Sequence, residues 1–265
     1  MSVRAELFRT LEENRVADLF RTSNPALNDK AFQNPGVGFG EAMTLNGTVN
    51  KTGFLLLCVV GTAAWTWNLY LHSSDPSLAL GLALIGMIGG LIMALVTTFK
   101  KTWAPVTAPI YALLEGLVLG GFSAMLESRY HGIAIQAVSL TFGTMFVLLL
   151  AYRSGLIKVT EKFKLGVIAA TGGIMVFYLI AFALSFFGVH FNKVLGGGPI
   201  GIAFSLFVVV IAALNLVLDF DFIETGVRLG APKYMEWYAA FGLMVTLIWL
   251  YLEILRLLSK IRDRN

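Results

Sequence analysis

Acidic side chains within apolar segments are the residues of this sequence that could carry chemistry. The stretch LNLVLDFDFIETGV, residues 214–227, ends a long apolar run with Asp219, Asp221 and Glu224. On a helix, Asp221 and Glu224 are three residues apart and share a face, whereas Asp219 points almost opposite to Asp221. If this helix crosses a membrane, we expect Asp221 and Glu224 to lie at the interface with water and Asp219 to face the interior of a bundle.

Two further acids, Glu115 and Glu253, interrupt other apolar segments. A carboxylate at the centre of a membrane helix costs about 2.5–3.5 kcal/mol on insertion scales, so such residues usually face a bundle interior or a wet cavity. Glu115 is about 18 Å from the start of its segment, near the middle of a bilayer. Glu253 has Arg256 less than one turn away, so local neutralisation and a role in an ion pathway are equally good explanations.

The elements that must position these acids are membrane helices. Hydrophobic residues are 57% of the 265 residues and charged residues 14%, against roughly 45–50% and about 25% in soluble domains. A bilayer core needs about 20 apolar residues for each crossing, and seven segments meet this requirement: 54–71, 77–99, 103–126, 132–152, 165–189, 199–220 and 237–258. The sequence therefore predicts an all-α integral membrane protein. We expect a polar N-terminal arm at 1–53, a transmembrane domain at 54–258 and a short basic tail at 259–265.

The distribution of basic residues predicts the orientation. With the N-terminus in the cytoplasm, 14 Lys and Arg residues fall on the inner side and 6 on the outer side, as the positive-inside rule favours. The last segment disagrees, because seven complete crossings leave the four basic residues Arg256, Lys260, Arg262 and Arg264 outside. Either this late segment has little weight in topology, or the last helix does not cross fully; we favour seven crossings.

Several function classes are disfavoured. The sequence contains no H-E-x-x-H, no G-x-S-x-G and no Cys/His ligand set, and GGGP at 196–199 lacks the Lys-Ser/Thr of a phosphate-binding loop. We therefore expect no enzyme activity, no cofactor and no metal site. The net charge of +4 is spread over loops, so we expect a lipid bilayer rather than a nucleic acid as the partner.

Glycines within the predicted spans recur at spacings that allow close helix packing. The pairs are Gly86 with Gly90, Gly116 with Gly120, and Gly172 with Gly173. Small residues four apart let helix backbones approach one another in a membrane. We therefore predict a compact bundle with these glycines at its helix contacts.

The segments LVLDFDFIETG, GLMVTLIWLYLEILRLLSKI and PIYALLEGLVLGG resemble the Bax inhibitor-1 (transmembrane BAX inhibitor motif) family, in particular its bacterial branch. The resemblance covers about residues 50–262. It implies a seven-helix fold whose last helix is surrounded by the other six, in the bacterial inner (plasma) membrane. It also implies a pH-sensitive calcium leak channel, in which an acid on helix six pairs with an acid on helix seven. Asp219 matches the family's acid on helix six.

The matching position on helix seven has two candidates. Aligning LYLE with the family pattern selects Glu253, whereas aligning the later Leu-Arg step selects Thr246. If helices six and seven are antiparallel around a turn near Ala231 and Pro232, Thr246 is level with Asp219 and Glu253 is about 12 Å further along the axis. This geometry favours Thr246. Lys100 and Lys101 are candidate counter-charges for Asp219.

The sequence leaves two functions open. The first is a cation leak channel, with calcium as a candidate ion, in which Asp219 and Glu115 line the pathway and protonation changes the gate. The alternative is a regulator without transport activity that binds membrane proteases or stress-response partners, which the charged arm favours. A proton-coupled carrier is a third class, but no internal repeat of the kind common in carriers is visible.

Overall fold

The computed structural model describes residues 41–73, 77–188 and 191–264, so the first 40 residues of the predicted arm lie outside the described residues. Seven long helices follow one another: α1 (Leu45–His72), α2 (Ser77–Phe99), α3 (Ala104–Arg129), α4 (Ile133–Arg153), α5 (Glu161–Ser185), α6 (Pro199–Arg228) and α7 (Met235–Arg264). A 3₁₀ turn, Lys101–Trp103, leads into α3, and a short helix, Asn192–Leu195, precedes α6. All seven are long and apolar enough to cross a membrane, so the prediction of an all-α membrane protein is confirmed.

α1, α6 and α7 extend beyond the predicted apolar spans because polar residues continue them, whereas α5 ends at Ser185, before the predicted limit at 189. α1 begins at Leu45, nine residues before Phe54, because the side chain of Thr44 accepts a hydrogen bond from the Gly47 amide at 3.0 Å and caps the helix. α6 continues through its acids to Arg228. α7 is an unbroken helix of 30 residues, about 45 Å long, which matches a bilayer with its headgroup regions.

The last helix lies at the centre of the bundle, as predicted. α7 packs against α1, α3, α4 and α6, and the side chain of Tyr178 on α5 hydrogen-bonds to it. α2 packs on the outside, against α3 and α1. α7 is also the most buried of the seven helices, so it positions its polar side chains among those of its neighbours.

Two of the three predicted glycine pairs lie at close contacts between helices. Gly86 and Gly90 pack on α3, against the main-chain oxygen of Leu114 and the carboxylate of Glu115, and Gly116 and Gly120 pack on α1. The prediction for Gly172 and Gly173 is wrong, because among residues 41–73, 77–188 and 191–264 no atom lies within 4 Å of a Cβ at either position. The sequence shows where small residues lie on a helix, but not whether another helix packs against the face that carries them.

The two ends of the bundle carry different charged clusters. The starts of α1, α3, α5 and α7 lie at one end, which we call the Glu236 end. The other end, where α7 finishes beside the start of α6, we call the Lys260 end. Contacts between distant parts of the chain define both ends: Lys51 pairs with Glu236 at the first, and Lys260 bonds to Ser205 at the second.

Candidate functional site

Asp219 is more deeply buried than Glu115 and Glu253, the other two acids predicted within membrane spans. Asp219 is 0% exposed, and the adjacent residues Leu218 and Phe220 are also buried. It lies nine residues before the end of α6, on the helix that packs along the central α7. The helical spacing therefore predicted its inward direction correctly.

Hydrogen bonds at the Lys260 end fix the alignment of α7 against α6. Lys260 donates to the carbonyl of Gly201 at 3.2 Å and to the hydroxyl of Ser205 at 2.8 Å. At the other end, α6 finishes at Arg228 and α7 starts at Met235. Counting residues inward from either end places Met244 of α7 at about the same level along the bundle axis as Asp219.

This alignment gives the positions of the two candidates on helix seven. Thr246 is two residues beyond Met244, about 3 Å along the axis, and Glu253 is nine residues beyond it, about 13 Å. Thr246 is 3% exposed, and its hydroxyl donates to the carbonyl of Gly242 at 3.3 Å. The assignment of Thr246 to the family's second acid position stays a prediction, and the alignment favours it over Glu253.

Asp221 and Glu224 both contact Tyr152 of α4, as expected for residues on one face. The Tyr152 hydroxyl donates to Glu224 at 2.6 Å and lies 3.5 Å from Asp221. Glu224 is exposed, but the Asp221 side chain is only 22% exposed and pairs at 3.1 Å with the ammonium of Lys164, which is itself buried. Asp221 is therefore a partner of a buried lysine on α5 rather than a solvated interface residue.

Glu115 lies at the contact between α2 and α3. Its carboxylate is so close to Gly90 that a Cβ there would come within 2.8 Å of Oε1. Its polar neighbour is Tyr111, one turn earlier on α3. Asp219 is on α6, which packs against α7, α4 and α5, so Glu115 and Asp219 occupy different helix contacts.

The two lysines predicted as counter-charges lie at the Glu236 end. The ammonium of Lys101 is 5.7 Å from the centroid of the Tyr238 ring, a cation–π distance. Lys100 is exposed. Among the residues that the structure describes, neither lysine forms an ion pair with a carboxylate.

Glu253 belongs to a cluster towards the Lys260 end. Its Oε1 accepts hydrogen bonds from Arg256 at 2.9 Å and from the Tyr178 hydroxyl at 3.3 Å. Arg256 also donates to the oxygen of Tyr178 at 2.7 Å. Local neutralisation by Arg256 was one of the two explanations for Glu253, and the geometry agrees with it.

Sequence reasoning missed Glu236, which lies in the first turn of α7 and has no exposed side-chain surface. It accepts hydrogen bonds from the amide and the hydroxyl of Thr44, each at 2.8 Å, and forms ion pairs with Lys51 and, at 3.3 Å, with Lys233. Thr44 ends a strap, defined here as residues 41–44. The spacing of Lys233 and Glu236 is a signal for a helical ion pair, whereas Lys51 is too distant in sequence to be anticipated.

The strap is bound to the turn between α6 and α7. The amide of Met43 donates to the carbonyl of Ala231 at 2.7 Å, within an isolated antiparallel bridge between Ala42 and Pro232. Lys233 pairs with Glu41 at 3.2 Å. The hydrogen bond to Glu41, followed by that to Glu236, raises the pKa of Lys233 above its ordinary value.

An apolar cavity of about 460 Å³ lies between α1 and α4, with α3 and α7 behind it. Its few polar groups include Ser123 and Tyr251, whose hydroxyls are 2.6 Å apart. One of its lining residues is Met244, the α7 residue that is level with Asp219. The cavity therefore extends through the half of the bundle at the Lys260 end as far as the level of Asp219.

Seven membrane helices, the last of them at the centre of the bundle, with carboxylates buried between them, define a polytopic membrane protein with acidic sites in its interior. Within the described residues no group of three or more His, Cys, Asp or Glu side chains could hold a metal ion. A family model described as Bax inhibitor 1 like matches residues 23–263, and the chain belongs to this family. The match starts at residue 23, so it includes part of the arm, upstream of the resemblance seen from about residue 50. No curated protein and no solved structure matches the chain significantly.

Proposed function

We propose that this protein is a pH-sensitive cation leak channel, with calcium as a candidate ion, and that Asp219 is its gating carboxylate. The observation that carries the proposal is the complete burial of Asp219 on a membrane helix, beside the central helix. Acids within membrane spans are costly and typically mark ion or proton pathways. Family membership supports the same function.

In this proposal the structure represents the closed state of the gate. The apolar cavity, which α1, α3, α4 and α7 line, reaches the level of Asp219 from the Lys260 end, while buried side chains, including Phe241 and Tyr238 of α7, fill the bundle beyond it towards the Glu236 end. Opening therefore requires a movement of α7 relative to α6 rather than the rotation of one side chain. Loss or gain of one proton at Asp219 changes the charge of this dry interior by one unit, which couples the gate to pH.

We also propose that the protein lies in a bacterial inner membrane with its N-terminus in the cytoplasm. Two of the four basic residues of the last segment are held by the bundle, which reduces their weight against this orientation. Arg256 pairs with Glu253, and Lys260 is buried against α6, so both act as structural residues of the bundle rather than as charges of a loop.

Calcium flux into liposomes containing the purified protein, measured from pH 5 to 8, tests the function. Asp219→Asn fixes the residue in an uncharged form, so the leak should change about five-fold or more, the effect of roughly 1 kcal/mol on a two-state equilibrium, and its pH dependence should flatten. Glu224→Gln is the matched control, because Glu224 lies on the same helix and is exposed. Asp221→Asn should change flux less than Asp219→Asn, although it removes one ion-pair partner of Lys164, which also pairs with Glu161.

Equal effects of Asp219→Asn and Glu224→Gln would contradict the role of Asp219. A parent protein that folds in liposomes but carries no cation flux at any pH would contradict the channel itself. In that case the alternative function, a regulator that binds membrane proteases or stress-response partners, would be the one to pursue.

A further inference from the structure

Three parts of the chain meet at the Glu236 carboxylate: the strap, the first turns of α1, and the start of α7. Thr44 supplies two hydrogen bonds and Lys51 supplies an ion pair from α1. Lys233 connects the same carboxylate to Glu41 of the strap. Every polar connection of Glu236 within the described residues therefore leads away from the body of α7, and most of them lead to residues 41–51.

This arrangement needs Glu236 to remain charged and in place. A buried carboxylate is stable only when cations and hydrogen-bond donors surround it, and the positive end of the α7 dipole adds to their effect. Gly47 provides the space, because a Cβ at this position would overlap all three atoms of the carboxylate group. The site is thus built for one side chain in one position.

We propose that Glu236 and the strap form a lock that holds the start of α7 against α1, and that release of this lock opens the gate at Asp219. The inference rests on the proposed channel function and adds a gating residue to it. Glu236 is eight residues from Met244, the residue level with Asp219, so the lock lies about 12 Å from the gate on the same helix. A rigid α7 transmits a displacement over this distance.

The variant Gly47→Ala tests the lock without altering any charged residue. The new methyl group must displace the tip of Glu236, which breaks its bonds to Thr44 and Lys51. Gly53→Ala is the matched control, because it is the same change on the same helix and no atom of the described residues lies within 4 Å of the new Cβ. Gly47→Ala should raise calcium leak about five-fold or more, the effect of roughly 1 kcal/mol on a two-state equilibrium, and Gly53→Ala should leave it unchanged.

A second readout does not depend on flux. Ala240 is fully buried, five residues into α7. In a Cys58→Ser background, the variant Ala240→Cys therefore reports the exposure of this end of α7 to a water-soluble thiol reagent. We expect its labelling to be faster with Gly47→Ala than with Gly53→Ala. A disulfide between Ala42→Cys and Pro232→Cys, the two residues of the antiparallel bridge, should return both labelling and leak to parental values, and reduction should reverse this.

The outcomes separate the lock from the channel. Faster labelling with unchanged leak, in a parent that conducts, would overturn the link between lock and gate. Unchanged labelling with Gly47→Ala would overturn the lock itself. If the parent carries no flux, the channel function fails, while faster labelling that the disulfide abolishes would still support Glu236 as the residue that holds α7.

Discussion

Replacing Gly120 by alanine should separate α1 from α3 and destabilise the bundle. A Cβ atom at Gly120 would lie 2.8 Å from the Cα atom of Ala63 and 2.9 Å from its carbonyl carbon. Carbon atoms pack at about 3.5–4.0 Å, so the helices must move apart by roughly 1 Å. The obstacle is main chain, which cannot rotate out of the way as a side chain can.

The size of the effect follows from this separation. A gap of about 0.5–1 Å removes roughly a quarter to a half of the van der Waals attraction at each contact, and membrane helices associate largely through such contacts between small residues. Overpacking costs about 1–3 kcal/mol; Gly120→Ala should fall at the upper end of this range. The better helix propensity of alanine offsets about 1 kcal/mol at most.

Unfolding of the purified protein in detergent, followed by circular dichroism, measures the loss. Gly173→Ala on α5 is the control, because it gains the same helix propensity and its Cβ has no atom within 4 Å in the part of the chain that the structure describes. We expect the control to be as stable as the parent or slightly more stable. A Gly120→Ala protein with parental stability would refute the reasoning, and an equal loss in both variants would show that the α1–α3 contact is not its cause.

Two further predictions concern the gate and the arm. Thr246→Asp should add a second, coupled titration to the plot of calcium leak against pH, because it installs an acid about 3 Å along the axis from the level of Asp219. Glu253→Gln should leave the shape of this plot unchanged. The reverse result would select Glu253 as the residue that pairs with Asp219. Deleting residues 1–40 should leave the unfolding temperature in detergent close to that of the full chain. Deleting 1–44 should lower it, because Glu236 then loses both hydrogen bonds from Thr44. A protein that lacks only residues 1–40 and is already unfolded would show that the arm packs against the bundle.

The directions of the acids on α6 could be predicted because they follow from the geometry of a single helix. A spacing of two residues turns side chains to nearly opposite sides, and Asp219 is indeed buried while Glu224 is exposed. The intermediate position of Asp221 could not be predicted in the same way. Its exposure depends on Lys164, which reaches it from another helix.

Glu236 was missed for a related reason. In the sequence it is an acid beside Trp237 and Tyr238 at the edge of a predicted span, which is typical of a residue in contact with water. Its burial depends on the strap and on Lys51, which is 185 residues away in the chain. Composition and periodicity describe one helix at a time, so they cannot show which charges from distant segments will meet.

The buried charges near the two ends of α7 differ in a way that decides which end can move. At the Lys260 end, Lys260 bonds to a main-chain carbonyl and a hydroxyl of α6, and because both belong to buried residues, water cannot easily replace them as partners of the ammonium. At the Glu236 end, the partners include Lys51 and Lys233, with side chains 18% and 43% exposed, and water can replace the carboxylate as their partner. Release is therefore less costly at the Glu236 end. A movement of α7 that pivots near Lys260 and swings at Glu236 would displace Met244 and Thr246 relative to Asp219, and the part of the cavity wall that Met244 forms would move with them.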